Sequence, residues 1–277
     1  MRVDAHQHFW KVSRGDYPWM DPSDRILCRD YLPDDIAPLL SQHRISRTIL
    51  VQAAPTAAET DFLLDLAQRH EFIAGVVGWV DLDRGDFPEQ FARYRQRVKF
   101  LGIRPMLQDL PDDTFILKPS VLSSLQLIAG HGFPFEFLTY SRHLPYVLRA
   151  LEKVPNLRGV IDHISKPEIR AQKIEPWRSL IREVAQNRNI YCKLSGMITE
   201  ADHRSWTPED LRPYVEHVLE CFGLERVMFG SDWPVCLLAG SYDQVMGALE
   251  TLLRQVLDSA STEAIFGTNA AKFYKLA

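Results

Sequence analysis

The stretch Asp4-Ala5-His6-Gln7-His8, together with Phe229-Gly230-Ser231-Asp232-Trp233-Pro234 near the other end, decides how this chain is read. Each is an apolar run that stops at groups able to bind a metal or move a proton. On an extended strand, residues two apart point to one face, so His6 and His8 aim at a common point. That pairing is most useful if the histidines lie on the first strand of a closed barrel and Asp232 ends the last. The two ends of the chain then meet around one reaction site.

Between these ends, short β-rich apolar runs alternate with longer segments of helical period. The strand candidates are residues 3–8, 48–52, 73–80, 100–106, 134–140, 157–163, 190–194 and 226–231. Several are apolar at nearly every position, as parallel strands covered on both faces should be. Residues 60–70 and 143–153 read as amphipathic helices. The clearest helix is 242–257, where Val245, Leu249, Leu252, Leu253 and Val256 recur at helical spacing. Thr207-Pro208-Glu209 supplies an N-cap, a first-turn proline and an acid for a further helix start. Eight strands with helical crossovers predict an α/β fold, a (β/α)8 TIM barrel, with a doubly wound open sheet as the alternative. A length of 277 residues suits such a barrel, and no linker or composition shift divides it, so residues 1–277 read as one domain. The segment 10–32, containing Tyr17, Pro18, Trp19 and Pro22, is too long for a turn and predicts a lid or wall over the barrel mouth.

Hydrophobic residues at 46% and charged residues at 25% match an ordinary soluble protein. With 32 Lys and Arg against 36 Asp and Glu, and no basic stripe, nothing recommends a nucleic-acid partner. The first strand begins almost at Met1, which leaves no room for a secretory segment. No apolar stretch approaches the ~20 residues that a membrane span needs. Cys28, Cys192, Cys221 and Cys236 lack CxxC spacing, as reduced thiols in a cytosolic enzyme would. The expectation is a soluble cytoplasmic protein, monomer or homodimer, whose partner is a small molecule.

A barrel places its chemistry at the C-terminal ends of its strands, above an interior expected to be filled by apolar side chains. Those ends carry His6 and His8, Gln52, Trp79 and Asp81, Arg104, Tyr140, His163, Lys193 and Ser195, and Asp232. One such residue means little, whereas a ring of them calls for a site. Plainer roles stand beside that reading. Asp232 could form a turn or cap a helix, Arg104 could satisfy strand-end carbonyls, and Lys193 could snorkel to solvent. Asp81 and Asp83 read as the end of a strand and the start of a loop, and the tryptophans as mouth packing. His143 reads as a helix start, and His43, His70, His131, His203 and His217 as surface or loop residues.

The sequences His6-Gln7-His8, Val160-Ile161-Asp162-His163 with Lys166-Pro167, Gly230-Ser231-Asp232-Trp233-Pro234 and the closing Gly267-Thr268-Asn269-Ala270-Ala271 resemble the amidohydrolase superfamily. The likeness covers nearly the whole chain and is to the amidohydrolase-2 branch of TIM-barrel hydrolases, lactonases and decarboxylases. Within it, the chain is most similar to the sugar lactonases that include L-fuconolactonases and L-rhamnonolactonases. The resemblance implies one divalent metal ion, zinc first, on His6, His8 and Asp232. There are two departures. Arg104 stands where binuclear members carry a carboxylated lysine, and strand five lacks the histidine of many mononuclear members. Metal-free lactonases also occur in this branch. The implied reaction is water attack on the ester carbonyl of a sugar aldono-lactone. Asp232 would be the general base, and His163 would donate to the oxyanion or reprotonate the leaving group. Arg104, Gln52, Tyr140 and Lys193 would bind substrate oxygens, with Trp10, Trp19, Trp79 and Trp233 as an apolar wall. The alternatives are a pyrone or muconolactone lactonase, a metal-dependent decarboxylase, and a catalytically dead barrel that binds a small ligand. Arg142 and Arg170 are loop arginines that a dicarboxylate would use.

Overall fold

The computed structural model describes residues 1–276. Its strands are β1 (Arg2–Gln7), β2 (Ile45–Val51), β3 (Ile73–Gly78), β4 (Phe100–Ile103), β5 (Phe135–Phe137), β6 (Gly159–Ile161), β7 (Ile190–Leu194) and β8 (Val227–Phe229). They neighbour one another in sequence order, every pair parallel, with helices between them. The ring is drawn together just beyond β8. There the Asp232 N–H donates to the His6 carbonyl at 2.8 Å, and the His8 N–H to the Trp233 carbonyl at 2.7 Å. This is the (β/α)8 barrel that the alternating pattern predicts.

All eight expected strands form, but β5, β6 and β8 keep only three residues each. Their flanks are spent otherwise. Pro134 has no N–H for a ladder, and the chain after Ile161 and after Phe229 turns to present site residues. The helices Ala57–Arg69, Leu144–Lys153 and Tyr242–Val256 match the expected segments. The helix Pro208–Phe222 begins at the predicted cap, where the Thr207 N–H and hydroxyl both donate to the Asp210 carboxylate, at 2.7 and 2.9 Å.

The barrel interior corrects the expectation of an apolar filling. Val3, Ala5, Ile49, Val51, Val77 and Val160 form its lower part, closed from below by Phe273 and Tyr274 of the helix Asn269–Tyr274. Above them, Lys193 and Glu136, neither with any exposed surface, pair at 2.6 Å. Lys193 also lies 3.1 Å from Asp162, and the Tyr274 hydroxyl donates to Glu136. Lys193 therefore does not reach solvent. His217 is corrected too: it is buried on its helix, with Nε2 at 2.8 Å from the Arg178 carbonyl.

The segment 10–32 lies across the mouth as an aromatic strap. Trp10 and Tyr31 exchange backbone hydrogen bonds at 3.0 Å, and the Trp10 indole donates to the Arg29 carbonyl at 2.8 Å. Trp19 packs edge-on to Trp10 with centroids 5.5 Å apart. No helix among the described residues is long and apolar enough to cross a membrane.

Candidate active site

Strict alternation along β1 would put Asp4 and His6 on the same face. The pairing of β1 with β2 shifts register between Asp4 and Gln7, and this separates them. Asp4 accepts from the Tyr242 hydroxyl at 3.1 Å and the Ser231 N–H at 2.9 Å, while His6 meets Arg104 and Lys193 inside the barrel. Beside β1, Asp232 adopts φ +57, and after β6 the four residues His163 to Lys166 all have positive φ. Left-handed backbone at residues other than glycine costs on the order of 1–3 kcal/mol each. Here it turns the side chains of His163 and Asp232 towards one point.

At that point Asp232 Oδ1 lies 3.3 Å from His8 Nε2, 3.8 Å from His6 Nε2 and 3.8 Å from His163 Nε2. The other ring nitrogens have partners of their own. His8 Nδ1 is 2.8 Å from the Val51 carbonyl, to which only an N–H can bond, so Nε2 turns a lone pair towards the carboxylate. His163 Nδ1 meets Ser195 Oγ at 2.9 Å. His6 Nδ1 lies 3.4 Å from Asp162 Oδ1, a buried oxygen that also faces Lys193 Nζ at 3.1 Å.

Burial holds the His6 and His163 imidazoles well below their ordinary range, and Lys193 pushes His6 down further. Burial also lowers His8, although the Asp232 contact opposes it. For Asp232, burial pushes the carboxyl up, but His163 and His8 outweigh it and the group stays below its usual value. Burial thus opposes charge on the imidazoles, while the carboxyl is held below its usual value.

This donor set fits a divalent metal. In a tetrahedral zinc site with bonds of ~2.0–2.1 Å, neighbouring donor atoms lie about 3.4 Å apart. The lone pair of His8 Nε2 facing a carboxylate oxygen at 3.3 Å is relieved by a cation between them. His6, Asp162 and His163 form a second possible cluster. There, however, the Lys193 ammonium already sits 3.1 Å from Asp162 Oδ1 and 3.3 Å from His6 Nδ1, supplying the positive charge. The set His6, His8 and Asp232 is the better cradle, with Asp162 orienting His6 from behind.

The site opens into a cavity of about 290 Å³. His8, His163, Asp232, Arg104, Trp10 and Trp19 line it, as do Lys166 and Gln108, which the strand-end reading passed over. Lys166 was within reach, being three residues after His163. Gln108 lies beyond β4 in a loop whose path carries no sequence signal. The remaining expected binders sit elsewhere. Gln52 is fully buried and grips Arg104: its Nε2 donates to the Arg104 carbonyl at 2.9 Å, while its backbone carbonyl accepts from the guanidinium. Lys193 lies beneath the floor. Tyr140 is half-buried between the Arg142 and Lys166 cations. Trp233 is buried against Tyr31 and Phe9. Trp79 lines an adjoining cavity.

A family model described as amidohydrolase matches residues 3–276. The chain belongs to the amidohydrolase family. This amidohydrolase is 41% identical to an L-fucono-1,5-lactonase of Burkholderia ambifaria, an alignment covering 99% of this chain and 96% of the relative. It is 37% identical to an L-fucono-1,5-lactonase of Burkholderia multivorans, over 100% and 96% of the two chains. A crystal structure of an amidohydrolase from Burkholderia multivorans with bound zinc superposes with a TM-score of 0.95 at 36% identity, covering both chains completely.

Proposed function

We propose that this amidohydrolase opens a sugar aldono-lactone, L-fucono-1,5-lactone first, by water attack on the ester carbonyl. The observation that carries the reading is the buried, ionised Asp232 facing His6, His8 and His163 at the floor of a small cavity, in a chain so similar to two L-fucono-1,5-lactonases. His6, His8 and Asp232 would hold zinc. When bound there, zinc polarises the carbonyl and brings the pKa of a bound water towards ~7.

The chain's own residues supply the rest. Asp232 takes the proton of the attacking water. With the Ser195 hydroxyl donating to Nδ1, His163 carries its proton on Nε2, where it faces the cavity and donates to the carbonyl oxygen as charge develops. The proton held by Asp232 then reaches the departing alkoxide. Arg104, fixed by Gln52, binds an oxygen of the substrate, and Trp10 and Trp19 cover an apolar ring face. The reading treats residues 1–277 as one catalytic unit, a cytoplasmic monomer or homodimer.

A pyrone dicarboxylate is less well served. Arg142 pairs with Asp113 at 3.2 Å and Arg170 with Asp202 at 3.6 Å, and neither lines the cavity. Acid release in a pH-indicator assay tests the choice. L-Fucono- and L-rhamnono-lactones should react and 2-pyrone-4,6-dicarboxylate should not, and the reverse order would overturn the sugar reading.

A further inference from the structure

A second cavity, of about 450 Å³, adjoins the site and is the larger of the two. It opens beside the mouth among the segments that follow β3 and β4. Trp19, Met106 and Asp109 line both spaces, so they form the boundary across which one ligand could extend. Its far walls are Trp79, Leu110 and Phe115, with Asp81 at the rim.

We propose that this cavity is a subsite for an uncharged sugar ring joined to the lactone, so that the substrate class extends to glycosylated aldono-lactones; this rests on the lactonase reading. Three observations select the occupant. The flat faces of Trp19, Trp79 and Phe115 suit the C–H face of a pyranose. Trp19 is held for that purpose, its indole N–H donating to the Ala53 carbonyl at 2.7 Å. Polar groups stand ready beside these faces. The Trp79 indole N–H has no partner among the described residues, and Asp81, whose Oδ1 accepts from the Asp83 N–H at 3.1 Å, leaves Oδ2 without one. A donor and an acceptor at the edge of an aromatic wall match ring hydroxyls, whereas an alkyl chain would strip water from both and return nothing. Finally, Asp81, Asp83 and Asp109 surround the space with negative charge, and only Asp83 has a lysine partner, Lys118 at 2.8 Å. An anionic extension is repelled.

The test compares L-fucono-1,5-lactone with its derivatives carrying a β-galactosyl group at each free hydroxyl in turn. At least one derivative should show a KM tenfold or more below that of the parent. Phe115→Ala, which removes a far wall, and Leu110→Trp, which fills the space, should leave the parent's kcat/KM unchanged and cost the favoured derivative tenfold or more. The subsite is overturned if no derivative is favoured, or if the variants depress parent and derivative equally; parent hydrolysis in those cases leaves the lactonase reading standing. If the parent itself is not hydrolysed, that reading falls, and calorimetric titration with the galactosyl derivatives decides the subsite. Binding that weakens in both variants supports it, and no binding, or equal binding in all three proteins, overturns it.

Discussion

Gly196 shows how little freedom surrounds the proton-moving groups. It has φ +59, and a Cβ there would lie 2.5 Å from His163 Nδ1, where Ser195 Oγ also makes its contact. Gly196→Ala should displace His163 and lower kcat tenfold or more while circular dichroism still reports a folded barrel; wild-type turnover in this variant would remove His163 from the reaction. At this scale the sequence was informative about groups that do chemistry at strand ends. His6, His8, His163 and Asp232 converge because the barrel brings those ends together. It was uninformative about Gln108, whose position depends on a loop path, and about Trp233, whose neighbour Asp232 turns to the site while its own ring packs on Tyr31 and Phe9.

Among the elements, β5 and β7 carry the least expected feature. Glu136 sits between two phenylalanines on a three-residue strand, and its inward direction follows from alternation, but its partner could not be read without the register that sets β5 beside β6 and β6 beside β7. Burial and Asp162 push the Glu136 carboxyl up to about 7, with Lys193 opposing them. Such a buried pair is costly to break from one side, because the remaining charge is left without compensation. Lys193→Met should destabilise the fold by roughly 3–5 kcal/mol in urea denaturation, and adding Glu136→Gln should restore part of the loss. Additive losses would contradict the pairing. The strand count and the helices Ala57–Arg69, Leu144–Lys153, Pro208–Phe222 and Tyr242–Val256, by contrast, were legible because hydrophobic period and cap chemistry are local. The exact strand ends were not, since they depend on where the chain leaves the barrel to build the mouth.

For the whole molecule, stability depends on a group far from the chemistry in sequence. Glu59, in the first turn of the helix Ala57–Arg69, is fully buried; one oxygen accepts from the Ala53 N–H at 3.1 Å and the other has no partner. Burial pushes its carboxyl up to about 8 from the ordinary 4.5. The folded chain therefore keeps a proton that the unfolded chain releases, and stability falls as pH rises from about 4.5 to about 8, on the order of 1 kcal/mol per pH unit within that window. Glu59→Gln should flatten this slope and raise the unfolding free energy at pH 8 more than at pH 5; an unchanged slope would show that Glu59 is ionised in the fold.

If the two ends of the chain close a barrel around a hydrolytic carboxylate, acid release from L-fucono-1,5-lactone should separate the wild type from Asp232→Asn, with and without added zinc. The wild type should hydrolyse the lactone rapidly and the variant should lose at least a thousandfold, at an unchanged melting temperature within a few degrees and with no rescue by zinc. Comparable rates for the two proteins would contradict it.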